Sequence, residues 1–182
     1  MSILKVNTIQ DKGGNTIISS DGAGTLSGGL ASNTPAFSAK LSANQEGISQ
    51  NAYTKVQCDS EDFDTDSAYD NATNYRFTVP SGQAGKYLFT ASINAIDWGG
   101  SFSTLDLYSG AFYKNGSLEK ATIDINGAAV NNNGVSLSAI IDLSESDYVE
   151  LYVKVETGSG TGKVYGGSNT TTWFQGYKLI GA

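Results

Sequence analysis

Between Lys86 and Ile96 every second residue is apolar: Tyr87, Phe89, Ala91, Ile93 and Ala95. Successive side chains of an extended chain point to opposite sides, so these five share one face. A helix would spread the same residues around its circumference. The run is therefore a strand, and a long one. Shorter runs follow the same rule. Phe37, Ala39 and Leu41 alternate within Pro35–Leu41, and Leu105–Lys114 sets Leu105, Leu107, Ser109, Ala111 and Tyr113 together. Ala52–Cys58, Tyr75–Val79, Leu118–Ile125, Val135–Leu143, Tyr148–Val155 and Thr171–Ile180 complete the set. Pro80, Ser81 and Gly82 form a turn, and Asn115-Gly116 marks a hairpin, since both positions of its turn need positive φ. No long segment carries apolar residues at helical spacing. Many short strands at regular spacing predict an antiparallel sandwich or barrel.

Composition agrees. The 182 residues include 22 Gly and 10 Tyr but only 2 Pro, enough for one domain and a short extra segment. Eleven basic against 18 acidic residues give a net charge of −7, which repels nucleic acid and anionic membranes. No basic patch with interleaved aromatics and no apolar stretch long enough to cross a bilayer is present, so neither nucleic-acid binding nor membrane insertion is expected. Cys58 is alone and cannot form an internal disulfide; with no His in the chain it lacks the usual activating base, and it reads as a small buried apolar residue. The segment Met1–Val6 does not read as a signal peptide, which implies synthesis in a cytoplasm.

Two parts separate by composition. Residues 1–34 hold strand-like pieces at Lys5–Ile9 and Thr16–Ile18, joined by a Gly-Gly-Asn turn, and a Gly/Ser/Ala/Asn stretch from Ser27 to Thr34 that reads as a linker. A hairpin-like arm of this size buries little apolar area by itself. Its apolar residues Ile3, Leu4, Val6, Ile9 and Ile17 are therefore candidates for anchoring it to something larger. Residues 35–182 form the head.

The head resembles the complement-q and tumour-necrosis-factor family over nearly all of its length. Pro35–Ala39 looks like that family's opening strand. Phe77-Thr-Val-Pro80 followed by Gly85-Lys-Tyr-Leu-Phe89 is similar to its aromatic-Thr-x-Pro, Gly-x-Tyr-x-Phe motif, Tyr113–Gly116 to its central hairpin, and Thr172–Ile180 to its terminal aromatic-x-Gly-aromatic strand. Ile140–Val149 resembles its Leu-x-x-Gly-Asp-x-Val segment, with Ser146 where Gly is usual. Two stretches, Trp98–Ser101 and Asn131–Gly134, depart from the pattern and read as long loops. The resemblance implies an all-β antiparallel jelly-roll sandwich that assembles as a homotrimer, with Tyr87, Phe89, Phe112, Phe174 and Tyr177 in its core or threefold interface. The arm resembles the amino-terminal segments of structural proteins of tailed bacteriophages, marine ones especially. That implies a virion location and attachment to a capsid or tail protein.

Three kinds of site are open. Asp62, Asp64 and Asp66 offer alternating oxygen ligands suited to calcium, but the sixth position, Ser67, and the twelfth, Thr73, do not fit a helix-flanked calcium loop. The other reading is a solvated loop that keeps an edge soluble. Asp142, Glu145, Asp147 and Glu150 suggest glycoside cleavage by paired acids, yet strand alternation separates Asp147 from Glu150. Trp98 abuts two glycines at a strand end and, with Phe102, is the candidate contact for a partner such as a host-surface glycan or protein. Asn71, Asn115 and Asn169 fit the glycosylation pattern but read as turn residues. The expectation is a non-enzymatic virion protein of a tailed phage: a trimeric fibre or knob without a cofactor. A capsid decoration protein is the alternative, and a polysaccharide-cleaving jelly roll a third reading.

Overall fold

The structure is a computed structural model and describes residues 6–23, 26–28, 33–96, 105–125, 132–157, 162–167 and 171–181. It divides into two compact units, residues 1–32 and Asn33–Ile180.

In the first unit β1 (Thr8–Gln10), β2 (Thr16–Ser20) and β3 (Leu26–Gly28) form a three-stranded antiparallel sheet in that order. The turn between β1 and β2 is closed by Asp11. Its Oδ1 accepts the N–H groups of Gly13 at 2.8 Å and Asn15 at 2.9 Å, and its Oδ2 accepts from the Asn15 amide at 2.9 Å. The third strand takes up the first two residues of the expected linker: Ser27 pairs with Ser19 and Gly28 with Ile18. Small residues carry no strand signal, but β2 offers a free row of backbone groups, and pairing with it satisfies both chains.

The second unit holds β4 (Ala36–Lys40), β5 (Gln45–Ile48), β6 (Thr54–Lys55), β7 (Ser60–Asp64), β8 (Tyr69–Asp70), β9 (Arg76–Thr78), β10 (Gly85–Ile96), β11 (Leu105–Lys114), β12 (Ser117–Ile125), β13 (Asn132–Leu143), β14 (Tyr148–Thr157), β15 (Gly162–Val164) and β16 (Trp173–Lys178). One sheet runs β7-β4-β16-β10-β13, with β15 continuing along β10 past the end of β16 and carrying β5. The other runs β12-β11-β14-β9-β8, with β6 also on β14. The chain crosses between sheets repeatedly, and the ladders between these strands are antiparallel, the winding of a jelly roll.

The faces between the sheets form one core. Tyr87, Phe89, Ala91, Ile93 and Ala95 of β10 are all buried, as their alternation requires. They meet Phe77 of β9, Tyr108 and Phe112 of β11, and Val149, Leu151, Val153 and Val155 of β14. The aromatics interlock. The Phe37 ring lies 4.8 Å from Tyr69, 5.3 Å from Phe77 and 4.9 Å from Phe174, and Phe89 lies 5.6 Å from Phe77 and 6.1 Å from Phe112. Gly176 makes room for this cluster: a Cβ there would sit 2.5 Å from Cδ1 of Phe89. The aromatic-x-Gly-aromatic spacing of the last strand thus has a steric cause. Cys58 is fully buried, and burial first, then Asp59, pushes its thiol pKa far up, so it packs as an apolar residue.

Several strands depart from the sequence reading. Only Thr54–Lys55 of the expected Ala52–Cys58 run is a strand. The acidic stretch is not a loop at its start: Ser60–Asp64 is the edge strand β7, paired with β4. Its charges fit that place, because an edge strand bearing carboxylates resists pairing with another chain. Asn132–Gly134, expected in a long loop, extends β13 opposite Asn94–Ile96. The short strands β5, β8 and β15 carry no alternation that marks them. At the Asn115-Gly116 turn both residues have positive φ, 51° and 77°. Ser146 also has positive φ, 67°, which explains why a glycine suits this turn.

Gly176→Ala is expected to destabilise the protein by roughly 1–3 kcal/mol, the usual cost of overpacking a filled core. Denaturant unfolding checks it; an unchanged midpoint would show that Phe89 has room to shift.

Candidate functional site

The outward face of the β7-β4-β16-β10-β13 sheet is unusual for so acidic a chain. Registers place Ala36, Tyr177, Leu88 and Ile140 side by side across four strands. The adjacent row is Phe63, Ser38, Gln175, Thr90 and Ser138. Neither row holds a charge. Charges stand at its margins: Lys86 opposite Asp142 beyond one row, and Lys40 bonded to Asp62 beyond the other. Phe63 is 52% exposed, Ile140 57% and Tyr177 37%. Ala36, Phe63, Leu88 and Tyr177 line a shallow apolar depression there. At one side of the sandwich β12 packs beside β13. From β12, Leu118 at 53% and Ile123 at 59% exposure stand opposite Tyr113 and Ser109, and so add apolar surface at the edge of the other sheet's outer face.

Tyr87, Phe89, Phe112 and Phe174 are core residues with no exposed surface, whereas Tyr177 points outward onto the uncharged face. Phe63, Leu88 and Ile140 are functional candidates that the alternation argument passed over. For Leu88 and Ile140 the signal was present. Leu88 sits between Tyr87 and Phe89, and Ile140 beside Ile141, so these strands carry apolar residues in both phases. A strand apolar on both sides has two faces to cover. Trp98, Phe102, Ile3 and Leu4 lie outside the described residues. Val6, Ile9 and Ile17 of the first unit are half exposed, at 50%, 48% and 45%.

The acidic candidates are engaged one by one. Asp62 is bonded to Lys40 and accepts from the Ser38 hydroxyl at 3.4 Å. Asp64 accepts the N–H of Tyr69 at 2.8 Å and of Asp66 at 3.3 Å, and Asp66 accepts from the Thr65 hydroxyl at 2.6 Å. No group of three or more acidic, Cys or His side chains gathers as a metal ion would need among the described residues. The second acidic set is likewise dispersed. Glu150 is buried and paired with Lys55 at 2.5 Å. Asp147 accepts from the Asn115 amide at 2.7 Å, the Ser144 N–H at 2.8 Å and Lys114 at 3.0 Å, which holds its carboxyl below the usual range. Glu145 accepts the Gly82 N–H at 2.8 Å. Each of these carboxylates fastens a turn or a pair of strands, and Asp142 stands opposite Lys86 across the β10-β13 ladder, an arrangement unlike the facing pair that glycoside cleavage uses.

The opposite sheet has an aromatic outer face. Tyr113 stacks on Tyr152 at 4.1 Å and meets Tyr53 edge-on at 5.7 Å, and the Tyr53 hydroxyl reaches Ser109 Oγ at 2.8 Å. The chain around Tyr53 thereby seals Ser109 and Ala111, which are fully buried although they point away from the core.

No protein-family model matches the chain, and no curated protein matches it by sequence. Solved structures do match. Murine APRIL at pH 5.0 aligns with a TM-score of 0.57 at 11% identity, over 79% of this chain and 98% of that one. The globular domain of a zebrafish complement 1qA protein aligns with a TM-score of 0.52 at 18% identity, over 81% and 98%. Murine APRIL at pH 8.5 gives 0.53 at 11% identity, over 79% and 98%. The fold is therefore an all-β jelly roll of the complement-q and tumour-necrosis-factor type.

Asp70 generates a pH prediction. It accepts the N–H groups of Thr73 at 2.9 Å, Ala72 at 3.0 Å and Asn74 at 3.1 Å, and the Asn74 amide at 2.7 Å. These bonds, those from Thr73 and Ala72 foremost, lower its pKa from 3.8 to about 2. A carboxylate depressed in the folded state adds stability that is complete above its unfolded pKa and disappears as pH falls through the folded one. Wild type should therefore lose stability between pH 3.8 and about 2, and Asp70→Ala should be less stable at pH 7 with a shallower decline over that window. Melting curves at a series of pH values read both effects; parallel declines would contradict it.

Proposed function

We propose that this protein is a non-enzymatic, self-associating binding module: a homotrimeric head carried on an anchoring arm in the virion of a tailed phage. The observation that carries self-association is the uncharged outer face. In a chain of net charge −7, two adjacent rows without a charge, carrying Phe63, Leu88, Ile140 and Tyr177, are suited to desolvation against protein. The occupant is a second copy. The face and the rim of Leu118 and Ile123 are different surfaces, so a contact of rim on face is heterologous. Such contacts close into rings when the rotation permits, and three copies is the number that the family resemblance implies.

The arm reading rests on two things. Its sequence resembles the openings of phage structural proteins, and its small sheet leaves Val6, Ile9 and Ile17 half exposed. A three-stranded sheet with little core of its own gains stability by docking. The arm would attach to a capsid or tail protein, while the head meets a partner surface such as a host receptor or glycan. Threefold display would multiply a weak contact into avidity. If imaging of particles places the head on the shell lattice instead of the tail, the same parts serve as a decoration protein. Synthesis in the host cytoplasm belongs to this proposal.

Sedimentation at micromolar concentration is expected to give a trimer; a monomer overturns the assembly. Ile140→Asp and Tyr177→Asp each bury an unpaired carboxylate in the contact. Each is expected to weaken association by about 3 kcal/mol or more, over a hundredfold, while leaving the circular dichroism of the subunit unchanged.

Deleting residues 1–34 is expected to leave the head's melting temperature within a few degrees of wild type and to abolish incorporation into particles. A head that fails to fold without the arm would show that the two units share one core.

A further inference from the structure

The second unit holds a polar cleft that the self-association surface does not use. Asn44, Gln45 and Glu46 line one side, Gln57 and Asp59 another, and Tyr75 the third. Its walls are fastened from behind. The Gln45 side chain donates to the carbonyl of Lys55 at 2.8 Å and accepts the N–H of Gln57 at 2.9 Å, joining β5 to the chain after β6. Asp59 accepts the Ser42 N–H at 2.8 Å and its hydroxyl at 2.7 Å. Asn44 Oδ1 accepts the N–H of Gly166 at 3.1 Å. Tyr75 follows the loop capped by Asp70, and Lys55 donates to the carbonyl of Asn74 at 3.1 Å. Tyr75 has φ of +50°, a conformation that a bulky aromatic seldom adopts and that needs its surroundings to hold it.

The groups left over define a ligand. Tyr75 lines the space, the Gln57 amide supplies a donor and an acceptor with no described side chain bonded to it, and Asp59 and Glu46 keep spare acceptor lone pairs. The neighbouring cations are occupied: Lys163 pairs with Glu46 at 2.7 Å and Lys55 with Glu150 at 2.5 Å. An anion would meet carboxylates without a free positive charge, and a purely apolar group would strand the amide and the acids. A ring bearing several hydroxyls satisfies both halves: its hydroxyls donate to the acids and exchange hydrogen bonds with the amide, and its flat C–H side lies on the tyrosine. The volume, about 260 Å³, is below the ~300 Å³ at which drug-sized pockets begin, so it takes one ring of a longer chain. We propose that this cleft binds one neutral sugar residue, stacked on Tyr75 and oriented by Gln57, Asp59 and Glu46. The proposal rests on the reading of the head as a binding module and assigns that module a ligand class and a place.

The test is a titration of the full-length protein with a panel of neutral monosaccharides and their methyl glycosides, followed by NMR or calorimetry, with sialic acid as the anionic control. Tyr75→Gly removes the ring while giving the strained backbone position the residue that adopts it most easily, so this variant is expected to keep its melting temperature or raise it. Gln57→Ala alters an exposed amide away from the core. The expected result is binding of at least one neutral sugar, no binding of sialic acid, and at least about a tenfold weaker constant in both variants at a melting temperature no lower than that of wild type. Two results overturn the cleft. In one, no sugar of the panel shifts any signal. In the other, the wild type binds a sugar that both variants bind equally well, which leaves the head a binding module with its site elsewhere. Loss of particle adsorption is scored separately, so a failed cleft and a failed module are distinguishable.

Discussion

The contact between Phe89 and the bare backbone of Gly176 sets the geometry of the head. Neighbouring strands in a sheet are held about 4.8 Å apart by their hydrogen bonds, and a side chain that leans over its neighbour needs that neighbour to be small. Phe89 and Gly176 face each other across the β10-β16 ladder. Because Gly176 has no Cβ, the Phe89 ring lies flat over β16 and reaches Phe37, Phe174, Phe77 and Phe112. Those contacts tie β4, β16 and β10 of one sheet to β9 and β11 of the other. Each ring so buried contributes on the order of 2–3 kcal/mol, and they do so as a group, because removing one exposes its neighbours. Gly110 repeats the device in the other sheet, where a Cβ would sit 3.0 Å from Leu137 and 3.2 Å from Val135.

Once the core faces are settled, the outward faces are settled too, since the period of two leaves no freedom. The two margins of the larger sheet are then treated differently. On one side β7 carries Glu61, Asp62 and Asp64, and carboxylates on an edge strand oppose further pairing. On the other side β13 presents Ser136, Ser138 and Ile140, with Asp142 only at its end. A chain whose charges collect at one margin and thin out across the face toward the other has a direction. This polarity opposes edge-to-edge pairing through β7, and it is achieved without large apolar area: serine and threonine hydroxyls fill the row beside Tyr177, Leu88 and Ile140.

How much of this was legible depended on how each residue reports its environment. The long strands were legible because alternation over ten or more residues has no helical counterpart, and the Asn115-Gly116 turn because few dipeptides tolerate positive φ twice. The core roles of Tyr87 and Phe89 followed from phase, whereas those of Phe112 and Phe174 came from the family resemblance; in β11 the alternating set Ser109, Ala111 and Tyr113 is the outward one, and Tyr108 and Phe112 face the core. Tyr177 has no core role: it lies three residues after Phe174, so within one strand it has the opposite phase, and the motif hid this. Phe63 was hidden by its acidic neighbours, which made an edge strand look like a loop. The strands β5, β8 and β15 have two to four residues each, too few for a period to show, and exist because a longer neighbour offers backbone partners. The cleft around Tyr75 was illegible for a different reason. It is assembled from three separate segments, residues 44–46, 57–59 and Tyr75, and no local pattern in any of them announces the others.

Among the described residues, five other than glycine have positive φ: Asn51, Ser67, Tyr75, Asn115 and Ser146. Four of these are small and polar, and their settings account for them. Asn115 belongs to a two-residue hairpin turn, and its side chain accepts the Tyr148 N–H at 2.9 Å. Ser146 turns the chain between β13 and β14 while its N–H reaches the carbonyl of Val79 at 3.0 Å. Tyr75 stands apart. The left-handed region costs a residue with a Cβ about 1–2 kcal/mol, and the turn after Asp70 would form with glycine or asparagine at less cost. The core does not require the ring either, since Tyr75 is only partly buried and is in contact with none of the stacked aromatics that join the sheets. A large amphipathic side chain kept at a strained position on the wall of a polar cleft is explained by what it presents to that cleft, because neither the turn nor the core has a use for it.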